Sequence, residues 1–294
     1  MLKLYQEPYI QEVHHERLKN VRLFVKREDL IHPYVSGNKW RKLKYNLIEA
    51  RNLGHDTLLT FGGAYSNHIY ATAAAANEAG LNSIGIIRGE ELQNKSLNKT
   101  LTFARKQGMQ LEFIDRKTYR LKSEAAFLDA LKTSYGDVFV VPEGGTNRLA
   151  LKGCEEMVTP EVRKFDYVCC SSGTGGTVSG TIAGMQGKGK VIGFSALKGD
   201  FLKNEVRDLI TDYGSPHLSN WEINTDYHFG GYAKRNELLD RFIEDFEVSC
   251  GIPLDQVYTG KMMYGVFDLV EKEYFPRGTH ILAIHTGGLQ GKNY

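Results

Sequence analysis

The chain has 294 residues, long enough for one large domain or two modest ones, and either could bury a substantial core. Lys plus Arg number 37 against 35 Asp plus Glu, so the basic excess expected of a dedicated nucleic-acid binder is missing. Charged residues at 24% and apolar residues at 41% describe a globular protein, and no apolar run approaches the roughly 20 residues of a membrane span. The stretch "MLKLYQEPYIQEVHHERL" lacks the uninterrupted apolar core of a secretory signal. Cys154, Cys169, Cys170 and Cys250 show no C-x-x-C spacing, so neither a zinc site nor a disulfide framework is expected. The expectation is a cytoplasmic protein of enzyme size.

In chain order, the first unusual stretch is "YVSGNKWRKLKY", residues 34–45, which crowds Lys39, Arg41, Lys42 and Lys44 together. "DTLLTFGG" then reads as a short buried strand, and "SNHIYATAAAANEAG" as an Ala-rich helix closed by Gly80. "NSIGIIRG" is a strand, "KSLNKTLTFARKQG" a helix ending at Gly108, and "QLEFID" a strand. A helical stretch over about 117–134 leads into the strand "DVFVVPEGG". A second series begins with the strand, Gly loop and helix of "FDYVCCSSGTGGTVSGTIAGMQG", followed by the strands "KVIGFSAL" and "THILAIHTGG". Alternating β and α elements imply parallel sheets covered by helices on both faces. Two series, each with Gly-rich strand exits, predict two open α/β lobes with a cleft between them. The crossings fall near residues 43 and 150, so residues 43–150 would form a smaller lobe and 151–294 a larger one. Joining residues 1–42 to the larger lobe does not follow from periodicity alone. It is the resemblance drawn below that implies it, with 1–42 and 151–294 as the cofactor-binding domain and 43–150 as the substrate-side domain.

The clearest chemical signal is "SSGTGGTVSG", Ser171 to Gly180, after an apolar strand and at the start of a helix. Successive glycines let backbone N–H groups converge on an anion, and the helix N-terminus adds a favourable dipole. Thr174 and Thr177 add hydroxyl donors. A nucleoside triphosphate loop would end in Gly-Lys-Ser/Thr, which is absent. A dinucleotide fingerprint counted from Gly173 places Val178 at the third glycine, and "VIGFSAL" ends without a carboxylate. A compact cofactor with a single phosphate fits better. The plain alternative is a glycine turn for close helix–sheet packing.

If that cofactor is pyridoxal phosphate, one lysine must carry it as an imine and be available as a neutral amine. Burial and neighbouring cations both lower a lysine pKa. On a helix, Lys39 and Lys42 are three apart and share a face, while Arg41 points elsewhere. Charge pattern alone would leave the cluster as a solvated basic face.

Five blocks decide between these readings: "SGNKWRKLKY", "GGAYSNH", "SSGTGGT", "VYTGK" and "HTGG". In order and approximate spacing they resemble the motifs of the 1-aminocyclopropane-1-carboxylate (ACC) deaminase and D-cysteine desulfhydrase family, from about residue 5 to the C-terminus. These are fold-type II, tryptophan-synthase-β-like enzymes, with pyridoxal 5'-phosphate in the cleft between two lobes. The resemblance implies that Lys39 forms the imine and Lys42 contacts the phosphate. It implies a phosphate cup of Ser172, Gly173, Thr174, Gly175, Gly176 and Thr177. Ser66 matches the serine that faces the substrate, and Asn67 the residue at the cofactor's phenolic oxygen. Tyr232, in "GGYA", and Tyr258, in "VYTGK", match two active-site tyrosines. The start of a helix at Ser66, Asn67 and His68 also suits a substrate α-carboxylate on physical grounds, because helix starts present unpaired N–H groups. His68 could equally be a helix-start hydrogen-bonder with no chemical role. Tyr65 departs from the family, where Gln is common.

Ring-opening deaminases of the family typically carry Glu after the tyrosine of "VYxGK" and Leu after the histidine of "HxGG". Here the two positions are Thr259 and Thr286, and the family's architecture faces the first toward the pyridine nitrogen. A carboxylate there keeps the ring protonated as a strong electron sink, whereas a threonine leaves a weaker one. The weaker sink favours β-elimination, because the electrons depart with the leaving group. The resulting expectation is a pyridoxal-phosphate-dependent lyase that eliminates a β-substituent from a small amino acid, with Lys39 as the base at Cα. The D configuration of that amino acid is what the resemblance implies. Thiolate departure would be assisted by Tyr258 or Tyr232, giving pyruvate, ammonia and sulfide. Thr286 and Tyr258 join Ser66, Asn67 and His68 as substrate contacts. The alternatives are ACC deaminase, a nicotinamide-dependent oxidoreductase, and a non-catalytic pyridoxal phosphate carrier. A homodimer is expected by resemblance, with no nucleic-acid, membrane or metal partner.

Overall fold

The structure is a computed structural model that describes residues 2–292. The chain opens with a hairpin of β1 (Ile10–Val13) and β2 (Arg22–Lys26), then enters helix α1 (Asn38–Asn52). A β/α series follows: β3 (Thr57–Gly62), α2 (Asn67–Ala79), β4 (Asn82–Arg88), α3 (Lys99–Lys106), β5 (Met109–Ile114), α4 (Arg116–Tyr119), α5 (Ala125–Tyr135) and β6 (Val138–Val141). Next come α6 (Arg148–Glu155), β7 (Tyr167–Ser172), α7 (Gly176–Met185), β8 (Lys190–Ser195), α8 (Phe201–Tyr213) and β9 (Trp221–Asn224). Helices α9 (Glu237–Cys250) and α10 (Thr259–Glu271) precede the last strand, β10 (His280–Ile284).

The strands form two sheets, one of six in the order β1-β2-β10-β7-β8-β9 and one of four in the order β5-β4-β3-β6. All pairings are parallel except β1 with β2. This is the expected two-sheet α/β architecture, with one antiparallel edge strand that the sequence reading did not anticipate. Strand alternation explains the two-sided cover. On the large sheet, Leu23, Val25, Cys169, Ile281 and Ala283 face α9 and α10, while Val168, Cys170, Leu282 and Ile284 face α7 and α8. The adjacent Cys169 and Cys170 thus lie in different cores, and all four cysteines are free thiols.

Most predicted elements fall where hydrophobic periodicity put them. The helix expected from Lys95 begins only at Lys99, because the Asn98 side chain caps it by accepting from Leu101 N. The helical stretch around 117–134 is two helices, the first capped by Asp115 and ended before residue 124. The proposed domain crossing near residue 43 lies inside α1, whose Trp40, Leu43, Leu47 and Ala50 pack with alanines of α2.

Candidate active site

In parallel α/β sheets, ligands bind beyond the carboxyl ends of the strands. Here the carboxyl ends of β3, β4, β6, β7 and β10 meet the start of α1 around one cavity of about 390 Å³. Two close approaches bring α1 to the large sheet. Gly37 adopts φ +58°, and a Cβ there would lie 1.9 Å from the Thr286 carbonyl oxygen. Asn38 N donates to that same carbonyl at 3.2 Å, so the start of α1 rests directly on the "HTGG" loop.

Lys39 and Lys42 both line the cavity from α1. Lys42 is 2% exposed, and its Nζ donates to Gly144 O at 2.9 Å and to Thr146 Oγ1 at 3.1 Å. Lys39 Nζ is held more loosely, 3.5 Å from Gly144 O. Burial, followed by the neighbouring Lys42 charge, pushes the Lys39 pKa down to about 7. The other two cations of the cluster turn away. Arg41 forks onto the buried carboxylate of Glu28 at 2.9 and 3.2 Å, and Lys44 holds Glu156 at 2.7 Å. The helix therefore sorts four similar cations into two that face the cavity and two that pin its outer side.

The glycine loop meets these lysines from the opposite wall. Ser172, Gly173, Thr174 and Gly175 line the cavity ahead of α7 and Thr177 lines it from the first turn of that helix, and Gly175 takes φ +80° to turn the chain into the helix. Gly176 lies just behind, where an added Cβ would come within 3.1 Å of Lys42 Nζ. Thr174 Oγ1 pairs with Thr146 Oγ1 at 2.6 Å, and Asn38 Nδ2 donates to Thr177 Oγ1 at 2.8 Å. Ser172 Oγ is buried with no hydrogen-bond partner among the described residues. A buried hydroxyl left so carries a desolvation cost that a polar guest would relieve.

On the small-sheet side, Ser66 is the N-cap of α2, and its Oγ accepts from His68 N at 3.2 Å and Ile69 N at 3.3 Å. The expected docking of a carboxylate on the His68 N–H is therefore corrected: Ser66 already occupies that donor. The Ser66 hydroxyl keeps its own proton to donate, and Asn67 lines the same wall. Thr60 Oγ1 donates to Val141 O, so at 2.7 Å it accepts from the Nε2 of His68. Burial and then the Lys39 and Lys42 charges hold His68 well below the usual imidazole range, so the ring is neutral. It is a buried hydrogen-bonding wall of the cavity.

Tyr232 and Tyr258 both reach the cavity, with ring centroids 6.2 Å apart. Burial and the adjacent Tyr232 raise the Tyr258 pKa well above the ordinary phenol value, so it stays protonated. Thr286 also lines the cavity and shares a 3.0 Å hydrogen bond with Ser171. Thr259 does not line it. Its buried hydroxyl donates to Asp255 Oδ2 at 2.6 Å and accepts from Asp255 N at 2.9 Å. The expectation that the residue-259 hydroxyl faces the cofactor ring is thereby corrected, because that group anchors the start of α10. Thr286 is the threonine hydroxyl of the pair that opens to the cavity.

Several residues escaped the sequence reading. Asn38, Gly144, Thr146, Arg88 and Glu143 belong to the site, and Asp255 supports it by accepting from the N–H groups of Val257, Tyr258 and Thr259. The "PEGGTN" turn after β6 was a visible signal: a further Gly-rich strand exit beside those after β3, β7 and β10, with Glu143, Gly144 and Thr146 inside it. Arg88 and Asp255 had none, as single charged residues outside any Gly motif. Tyr65, the departure from the family pattern, is 74% exposed at the cavity mouth.

Comparison with known proteins now decides the family. Residues 4–287 match the family model described as "Pyridoxal-phosphate dependent enzyme". A putative ACC deaminase of Pyrococcus horikoshii is 32% identical, covering 92% of this chain and 85% of that protein. A mitochondrial bifunctional D-cysteine desulfhydrase/ACC deaminase of Arabidopsis thaliana is 33% identical, covering 92% of this chain and 73% of the relative. A solved ACC deaminase homologue superposes with a TM-score of 0.85 at 30% identity, covering 98% of this chain and 91% of that one. The chain belongs to the pyridoxal-phosphate-dependent ACC deaminase/D-cysteine desulfhydrase family.

It is an enzyme of fold type II, its cofactor is pyridoxal 5'-phosphate, and the nicotinamide and non-catalytic alternatives fall. The residues present suit that cofactor. The unpartnered Ser172 hydroxyl, the glycine turn at the α7 N-terminus and the buried Lys42 ammonium converge on one end of the cavity, as a phosphate requires. Lys39 supplies a cavity-facing amine of lowered basicity. Among the described residues no helix is long and apolar enough to cross a membrane.

Proposed function

We propose that the enzyme is a D-cysteine desulfhydrase-like lyase that removes a β-substituent from a small, D-configured amino acid. One observation carries this reading. Where ring-opening relatives carry Leu, Thr286 presents a hydroxyl to the cavity, bonded to Ser171. The one acidic residue among those lining the cavity, Glu143, is tied to Tyr119 and Lys122 away from that wall. A hydroxyl leaves the cofactor ring a weaker electron sink than a carboxylate would. Elimination tolerates this, because the electron pair departs with the leaving group.

The cofactor, held covalently through Lys39, supplies delocalisation of the electrons left at Cα when its proton is removed. The Ser66 hydroxyl and Asn67 would hold the substrate carboxylate at the α2 start. The Lys39 amine, which burial and the Lys42 charge bring to a pKa of about 7, would take the Cα proton. The Cβ–S bond then breaks with its electrons on sulfur, and Tyr258, protonated at neutral pH and beside Tyr232, would donate the proton the thiolate takes. With one water the sum is D-cysteine to pyruvate, ammonia and hydrogen sulfide. Lys42, Thr174, Thr177 and the α7 N-terminus would hold the phosphate.

The names of the relatives support ACC deaminase equally, and this is the second reading. Purified enzyme should release pyruvate and sulfide from D-cysteine faster than 2-oxobutyrate from ACC. The reverse ranking makes ring opening the principal reaction. We also propose a homodimer in the cytoplasm, built from the two domains 1–42 with 151–294 and 43–150. Light scattering at a monomeric mass would dispose of the dimer.

A further inference from the structure

We propose that Lys261, in the motif "VYTGK", is a positioning residue that holds Tyr232 in the active site by clamping the loop that carries it. Lys261 is 1% exposed, and its Nζ donates to two carbonyls of that loop, His228 O and Gly231 O, each at 2.8 Å. The loop needs such a clamp. Phe229, Gly230, Gly231 and Ala233 all have positive φ, between 51° and 116°, a region that is strained for the two non-glycine residues. Tyr232 follows directly and is 43% exposed, so its own burial does not fix it.

One stripe of α10 and its N-cap meets the loop rung by rung. Tyr258 faces Tyr232, Lys261 takes the two carbonyls, the Tyr264 ring meets Phe229 edge-on at 5.0 Å, and Asp268 accepts from the Tyr227 hydroxyl at 2.6 Å. Spacings of three and four put these residues on one helical face. The aromatic and Tyr–Asp rungs pack the base of the loop, and Lys261 is the rung nearest Tyr232 that fixes backbone. A buried ammonium whose hydrogen-bond acceptors among the described residues are neutral carbonyls is costly, and burial lowers its pKa to about 8 against the opposing pull of the Asp255 carboxylate. A methionine of similar length would fill the space without that cost, but it would leave both carbonyls unheld.

The inference rests on the placement of Tyr232 in the reaction, and its test separates the two. Hydrogen exchange is first measured on the cofactor-loaded enzyme without substrate. Lys261→Met is expected to speed exchange across residues 227–234 by about tenfold, with the visible cofactor band unchanged. Then kcat is measured for Lys261→Met, Tyr232→Phe and the double variant, using whichever of D-cysteine and ACC is turned over. The expected result is a fall of about tenfold in kcat for Lys261→Met with KM little changed, and a double variant no slower than Tyr232→Phe within about twofold. Unchanged exchange, or additive losses in the double variant, would overturn the proposal. If Lys261→Met does not fold, Lys261→Gln, which keeps one donor amide, takes its place; failure of both to fold makes Lys261 a stability residue and also overturns it. Absence of turnover with both substrates defeats the proposed function instead, and leaves the exchange result to decide on the clamp.

Discussion

Lys39 and Lys42 direct their ammonium nitrogens at a single acceptor, the carbonyl of Gly144, from 3.5 and 2.9 Å. Lys42 adds Thr146 and keeps its third N–H free for a phosphate, whereas Lys39 has no second acceptor among the described residues. Two cations sharing one neutral oxygen in a buried place repel each other, and the loosely held one gives up its proton first. Burial lowers the pKa of both lysines, and the added charge of Lys42 brings Lys39 down to about 7, a division that makes Lys39 the one available as an amine.

Substitution should expose that division. Lys39→Ala is expected to abolish the cofactor band above 400 nm and borohydride-stable cofactor attachment. Lys42→Ala should keep both and weaken cofactor binding by about 10- to 100-fold, the worth of one charge-assisted hydrogen bond. Attachment surviving in Lys39→Ala would remove Lys39 from the role.

The lowered Lys39 pKa has a pH signature in cofactor capture. A neutral amine is needed for attack on an aldehyde. Capture of added pyridoxal phosphate by the apo-enzyme should therefore accelerate as pH rises and level off above about 7. An unburied lysine would still be gaining rate beyond pH 9. Stopped-flow absorbance between pH 5.5 and 9.5 reads the midpoint, and a rate still climbing steeply at pH 9.5 contradicts the assignment.

The two threonines should separate by experiment. Thr286→Val, which strips the cavity hydroxyl, is expected to lower kcat by about tenfold, near one hydrogen bond's worth of barrier. Thr259→Val should leave kcat per folded molecule within about twofold and cost about 1–3 kcal/mol of stability, because the buried Asp255 carboxylate loses a donor. Activity assays beside thermal melts test both, and the opposite ordering would return residue 259 to the cofactor ring.

Arg41 should matter for stability alone. Its guanidinium is the bidentate partner of the fully buried Glu28, whose next cation, Lys26, is 3.7 Å away. Arg41→Met is expected to cost about 3–5 kcal/mol by leaving that carboxylate underpaired, and Glu28→Gln in the same chain should recover part of it. Denaturant midpoints measure this. A loss below about 1 kcal/mol would mean that Glu28 is compensated elsewhere.

The strands and helices around the site were legible because their signals are local. Alternating or continuous apolar runs, Gly80 at a helix end and the glycines of 173–176 each dictate a conformation within a few residues. Elements built on weaker local patterns, the β1–β2 hairpin and α8 to α10, went unread. So did the break between α4 and α5, which depends on the Asp115 cap.

Within "SGNKWRKLKY", the sequence alone determined that Lys39 and Lys42 share a helical face, because α-helical period is a local property. Which face becomes buried was decided by the tertiary structure. Glu28, buried in the turn after β2, and Glu156, just past α6, draw Arg41 and Lys44 away from the cavity, and the Gly144 carbonyl after β6 receives the other two. Thr259 and Thr286 teach the same lesson. They look equivalent as letters, yet Asp255 takes one hydroxyl and the cavity keeps the other. Charge and hydrogen-bonding capacity are properties of a residue, but burial and the partners that use that capacity come from segments distant in the chain.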